Sequence, residues 1–220
     1  MINIAIDGPG GAGKSTIAKA AAKELGYIYV DTGALYRSVG VYALRKGVKT
    51  DSADEVVPIL SEITVELKFI DGTQRVYLNG EDVSDEIRTP EASMAASNVS
   101  AIQQVRDFLF DLQRDIAKAN NCIMDGRDIG TVVLPDAQVK IFLTASAEER
   151  AKRRYLQLIE KGQELKYEDV LKELEERDYQ DSHREIAPLK PAEDSVIVDT
   201  SDINLEQSID TVVNVIRERI

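Results

Sequence analysis

The chain has 220 residues, of which 43% are hydrophobic and 30% charged, with a formal net charge of −12. That is globular composition on a length sufficient for one good core and a small subdomain, which excludes a disordered or fibrous chain. The acidic balance argues against a general affinity for nucleic-acid backbone, and no apolar run approaches the roughly 18 residues of a membrane span. A single cysteine, Cys122, rules out disulfides within the chain, and its apolar setting points to a buried, inert thiol. No signal-peptide pattern opens the sequence, so a soluble cytoplasmic protein is expected, with monomer as the default state.

Residues 2–6 form a short apolar run that stops at Asp7. It passes into Gly8-Pro9-Gly10-Gly11-Ala12-Gly13-Lys14-Ser15-Thr16, and an alanine-rich helical pattern follows at once. This is G-x-x-x-x-G-K-[ST] in the strand–loop–helix setting that the motif requires. Glycines turn backbone N–H groups inward as a nest for phosphate oxygens, and the helix start adds its positive dipole end. Lys14 is placed to reach β- and γ-phosphates, and the Ser15 hydroxyl to ligate Mg²⁺.

Further along, 16–25 reads as a helix closed by Gly26, and 27–30 as a second strand stopped by Asp31-Thr32-Gly33. Helices are predicted over 33–46 and about 52–60, the latter with Ser52 as cap. The pattern then changes: 63–70 and 75–80 alternate apolar and polar residues around an Asp71-Gly72 turn, which predicts a half-exposed antiparallel hairpin. Pro90 starts a helical stretch to 97, and 100–119 reads as the longest helix. Strands are predicted at 122–125, 139–143 and 195–199. Helices are predicted at 147–161 (closed by Gly162), about 167–182 and 205–220. Five short apolar strands separated by helices make an α/β fold, a doubly wound five-stranded parallel sheet. Loops at the carboxyl ends of its strands share one rim, where ligands bind in such sheets. The β-element at about 62–92 reads as an insertion.

Three sets of basic residues stand out against the acidic average. Arg37, Arg106 and Arg127 form the first, and Arg127 lies at a strand end on the functional rim. Planar guanidinium groups suit phosphate because they bind it in bidentate fashion. Arg150, Arg153 and Arg154 fall on one helix face, which suggests an anionic ligand, with a solvated face as the bland alternative. Arg177, Asp181 and Arg184 share a helical stripe that by itself reads as a surface ion-pair ladder. His183 lies off that stripe and is not expected to be a general base.

The phosphate loop together with Asp31-Thr32-Gly33-Ala34-Leu35-Tyr36-Arg37 resembles the nucleoside monophosphate kinases. Adding Gly80-Glu81-Asp82-Val83-Ser84, Glu86-Ile87-Arg88, Asp125-Gly126-Arg127-Asp128-Ile129-Gly130-Thr131-Val132-Val133 and Arg177-Asp178 narrows the resemblance to the bacterial cytidylate kinases, over essentially the whole chain. The resemblance implies an ATP-dependent phosphotransferase acting on CMP and dCMP, with Mg²⁺ held through Ser15 and no nucleic-acid or membrane partner. It implies that Tyr36, Arg37 and Arg127 hold the acceptor phosphate. Ser97, Arg106 and Asp128 would read the cytosine, with the second arginine of the Arg177/Arg184 pair contributing. Thr32, at a position that is serine in the family, and Asp181 would contact sugar hydroxyls. Lys14, Arg127, Arg150 and Arg154 would neutralise the transferred phosphoryl group, the last two from a mobile lid at about 150–166. The core would span 1–61 and 98–220, with 62–97 as an inserted element for the monophosphate. Two alternatives stand beside this reading. One is a P-loop kinase for another nucleoside monophosphate or for a metabolite hydroxyl, with Asp7 or Asp31 as base. The other is a nucleotide switch without enzymatic activity.

Overall fold

The structure is a computed structural model that describes every residue except Asp71 and Lys161. In chain order the elements begin with β1 (Asn3–Asp7), α1 (Lys14–Leu25), β2 (Ile28–Asp31), α2 (Thr32–Lys46) and α3 (Ala53–Ile59). There follow β3 (Val65–Ile70), β4 (Thr73–Leu78), β5 (Glu81–Asp82), α4 (Pro90–Ser100) and α5 (Gln103–Ala119). The chain ends with β6 (Cys122–Gly126), β7 (Val139–Thr144), α6 (Ala147–Glu160), α7 (Tyr167–His183), β8 (Val196–Asp199) and α8 (Leu205–Arg217). Two compact units result: Met1–Tyr29 with Asn120–Ile220, and Val30–Ala119.

The first unit is organised on a five-stranded parallel sheet in the order β2-β6-β1-β7-β8. Its strands are the short apolar runs expected from the sequence, and β1 lies at the centre because Ile4, Ala5 and Ile6 are fully buried. Parallel register sets Asp7 opposite Gly126 on one side and Phe142 on the other. The carboxyl ends of β1, β6 and β7 therefore open on one rim. Helix α1 buries Ile17, Ala18 and Ala21, an i, i+1, i+4 stripe, against Ile4, Ile6 and Ile141. Val212, Val213 and Ile216 of α8 join the same cluster, each fully buried aliphatic side chain contributing about 1.5–3 kcal/mol. A capping box between Asn204 and Gln207 starts α8.

The second unit holds the antiparallel β3–β4 hairpin, in register from Val65↔Leu78 to Ile70↔Thr73. The expected alternation holds where Val65, Val76 and Leu78 are buried and Glu66 faces outward, but it breaks toward the turn, where the adjacent Phe69 and Ile70 are both exposed. A short third strand, β5, completes the small sheet, and the sequence pattern did not reveal it. The core packs this sheet with Leu35 and Val39 of α2, Val99 of α4, and Val105 and Leu109 of α5.

Several predicted boundaries shift for local reasons. Helix α2 begins at Thr32 rather than 33, because the Asp31 carboxylate caps it by accepting the Ala34 N–H at 3.0 Å. Ser52 occupies the cap position of α3, but its side chain makes no capping bond. The predicted break at 98–99 falls instead at 101–102, where the Ala101 and Ile102 N–H groups bond three residues back to Asn98 and Val99. Helix α5 does not stand alone as the longest, since α7 has the same 17 residues. Ile129–Val133 forms a single π-helical turn, which the apolar Thr131-Val132-Val133 run does not suggest. The predicted turn at Asp71 and the helix end at Lys161 lie outside the described residues.

Candidate active site

The phosphate loop runs from the end of β1 to the start of α1. Gly8 has φ +149°, and a Cβ added there would lie 1.9 Å from the Leu143 carbonyl oxygen, so no other residue fits beside β7. Gly13 adopts the left-handed region at φ 87° and leaves the N-terminus of α1 without a side-chain cap. The first-turn N–H groups of α1 are thus presented to the loop, with no acidic residue in that turn. Lys14 is buried and its Nζ donates to the Pro9 carbonyl at 2.7 Å, curling the ammonium over the loop. Burial, then the charge of Arg127, pull this ammonium well below the usual lysine range. The Ser15 hydroxyl donates to Asp125 Oδ2 at 2.8 Å, and Tyr29 donates to Oδ1 at 3.0 Å.

In the sequence Asp125 stands only within the strand-end run 125–128, with no role of its own. It is an acid at the carboxyl end of a strand, and only the sheet order shows that this strand neighbours β1. The loop after β6 carries Arg127 and Asp128. A Cβ on Gly10 would come within 3.8 Å of Arg127 Nη2, so this guanidinium stands beside the phosphate loop. Arg127 Nε donates to Asp181 Oδ2 at 2.9 Å. Burial opposes both charges, but each holds the other ionised: the Arg127 pKa is raised and the Asp181 pKa lowered. The charges of Arg177 and Arg184 also act on Asp181, and Arg184 lies 3.6 Å from the buried Asp128 carboxylate. The stripe read as a surface ladder is therefore the inner face of α7, with Asp181 only 4% exposed.

In the second unit, Arg37 pairs with the capping Asp31 at 2.7 Å. Gln74 of β4 accepts the Asp31 N–H at 2.9 Å and donates to its carbonyl at 3.3 Å, which ties the hairpin to the start of α2. Gln74 is a second residue the sequence pattern passed over, being one polar position among several in an alternating strand. Thr32 and Tyr36 are buried. The Arg106 guanidinium lies 5.8 Å from the Tyr36 ring centroid and donates to the Ser100 carbonyl at 3.3 Å. Ser97 is half-buried one turn earlier on α4, where its carbonyl accepts the Ser100 hydroxyl.

A family model for cytidylate kinase matches residues 4–218. A cytidylate kinase of Caldicellulosiruptor saccharolyticus is 52% identical over 211 residues, 96% of this chain and 93% of that protein. One from Lactobacillus johnsonii is 46% identical over 219 residues, 100% of this chain and 95% of that protein. The chain belongs to the cytidylate kinase family. In fold it is also similar to the crystal structure of an uncharacterized protein from Eubacterium ventriosum, with a TM-score of 0.56 at 13% identity over the whole of both chains.

Within this cytidylate kinase family chain the three arginines of α6 do not act as one set. Arg150 is buried; its Nη1 donates to the Gly10 carbonyl at 2.9 Å and to Asp178 at 2.5 Å. Arg154 is half-buried on the same helix. Arg153 turns elsewhere, pairing with Glu149 at 3.1 Å and donating to the Thr200 carbonyl at 2.7 Å, so it is half-buried and held by the chain, neither beside the loop nor on a solvated face. The two carboxylates considered as bases for a hydroxyl acceptor are both engaged. Asp31 caps α2 and pairs with Arg37, while Asp7 accepts the Ile129 and Gly130 N–H groups at 2.8 and 2.7 Å. Burial pushes the Asp7 carboxyl up to about 6 against these bonds. His183 is exposed and stacks on Tyr179. Cys122 is buried, as expected, and burial pushes its thiol up to about 12. No helix among the described residues is long and apolar enough to cross a membrane.

Proposed function

We propose that the chain catalyses ATP + CMP ⇌ ADP + CDP, with dCMP as a further acceptor. The observation that carries this is Arg127, a second buried-side cation beside the phosphate loop, held ionised by Asp181. A triphosphate needs Lys14 and the loop amides; a guanidinium next to them suits an acceptor that itself bears a phosphate. The loose transition state of phosphoryl transfer spreads negative charge over peripheral oxygens, so positioning and neutralisation do most of the work. Lys14, Arg127, Arg150 and Arg154 supply that neutralisation. The nucleophile is a phosphate oxygen whose second pKa is about 6, already ionised at neutral pH, so no catalytic base is required. The engaged states of Asp7 and Asp31 agree with this.

The proposed acceptor contacts are Tyr36, Arg37 and Arg127 to phosphate, Thr32 and Asp181 to sugar, and Ser97, Arg106, Asp128 and Arg184 to the base, with Arg177 adding charge. Residues 62–97 are proposed as the monophosphate-binding element and 150–166 as the lid. Mg²⁺ fits the donor set at the start of α1, where the Ser15 hydroxyl and the buried Asp125 carboxylate offer hard oxygens 2.8 Å apart. Bound there, the ion would neutralise charge on the β- and γ-phosphate oxygens. The protein is read as a cytoplasmic monomer without nucleic-acid partners.

The decisive test is ADP release from ATP on adding CMP. A CMP-dependent burst supports the proposal, and equal ADP release with and without CMP overturns it. Two substitutions probe the finer assignments. Asp128→Asn is expected to narrow the CMP over UMP preference about tenfold, because a carboxylate accepts from cytosine's amine and repels uracil's O4. An unchanged ratio of kcat/KM for the two acceptors refutes that role. His183→Gln is expected to leave kcat within about twofold, since no base is needed. A thousandfold loss would contradict the mechanism.

A further inference from the structure

We infer that Asp7 is a positioning residue for the acceptor side of the site, acting as a helix cap supplied from another strand. Asp128 holds the cap position of the π-turn Ile129–Val133, yet its side chain makes no capping bond. The first two N–H groups of that turn, from Ile129 and Gly130, go instead to the two carboxylate oxygens of Asp7 at 2.8 and 2.7 Å. These are 122 and 123 residues distant in sequence. A residue that caps its own helix spends its oxygen on the backbone. Because Asp7 does that work, the Asp128 side chain is directed to Arg184, at 3.6 Å.

The clamp is built on rigid elements. Asp7 is the last residue of β1, in parallel register with Gly126, and is 5% exposed. Arg127 and Asp128 are therefore the two residues suspended between a strand pairing (Asp7 with Gly126) and a bidentate side-chain bond (Asp7 with Ile129 and Gly130). Both ends of that short span are fixed by the same aspartate. Gly130 belongs to the fit, since a Cβ there would lie 3.3 Å from Asp7 Oδ2 and 3.2 Å from Lys140 Cδ. Only a carboxylate accepts two N–H groups with two oxygens. Asparagine would keep one bond and set its amide against the other N–H.

This inference rests on the assignment of Arg127 and Asp128 to the acceptor. Asp7→Asn is expected to raise the KM for CMP about tenfold while the KM for ATP stays within twofold. Asp7→Ala, which leaves both N–H groups without their acceptor, is expected to raise it further. Unchanged constants, or equal increases in both, overturn the role of Asp7. Amide exchange in the wild-type chain tests the clamp even if a variant fails to fold. The Ile129 and Gly130 N–H groups should exchange at least a hundredfold more slowly than exposed loop amides, and loop-like exchange overturns the inference. A wild-type chain that shows no CMP-dependent ADP release would instead overturn the acceptor assignment, a result distinct from these.

Discussion

Replacing Lys14 with methionine is expected to lower kcat about a thousandfold without lowering the thermal midpoint. Removal of one preorganised charge-stabilising donor costs about 10²–10³ in rate, and cations on a transferring phosphoryl group lie at the upper end. Stability should move the other way. Lys14 is 6% exposed, and burial with the neighbouring Arg127 charge disfavours its ammonium. A methionine of similar length keeps the packing and removes a charge that the fold holds at a cost. Single-turnover kinetics together with calorimetry check both halves. A loss below tenfold would remove Lys14 from the phosphoryl-transfer step.

Arg127→Met should fail in a different manner, losing activity and stability together. Asp181 is 4% exposed, and without Arg127 its buried carboxylate loses the guanidinium that donates to it at 2.9 Å. Breaking a buried pair from one side costs about 3–5 kcal/mol, which for a chain of this size lowers the melting midpoint by roughly 10 °C. Arg127→Met combined with Asp181→Asn should recover part of that stability, because the buried carboxylate that lost its Arg127 partner is gone. Turnover should remain about a thousandfold down in both, since neither carries the guanidinium beside Gly10. Restored turnover in the double variant would mean that Arg127 serves the fold alone.

The two substitutions separate functions that lie close together in the first unit. Lys14 is held by a backbone carbonyl of its own loop, so its loss is local. Arg127 is held by a helix 54 residues further on, so its loss reaches α7. The same distinction governs how much could be read from the sequence. The phosphate loop is legible because every residue acting there is contiguous and its glycines answer to backbone geometry. The sheet was legible from its apolar runs, and the hairpin from its alternation. The partners of Asp125, Asp178 and Gln74 and the capping role of Asp7 were not, because each acts on a residue far away in the chain. No local spacing records such a pairing. For the same reason the Arg177–Asp181–Arg184 stripe was underrated: charge periodicity shows that the three share a face, not that the face is buried.

By itself, then, the sequence determined most of the secondary elements, the parallel sheet, the phosphate loop and the family to which the chain belongs. These follow from periodicity, from glycine's access to positive φ, and from contiguous motifs. Tertiary structure alone decided which charges are paired and which way they point. It turned Arg153 toward Thr200 and Arg150 toward the loop, though both leave the same helix face within one turn. It buried Asp181 against Arg127, and gave the cap of the Ile129–Val133 turn to Asp7 rather than Asp128. The physical reason is that burial and distance set the worth of a charge, and both are properties of the packed chain rather than of the residue.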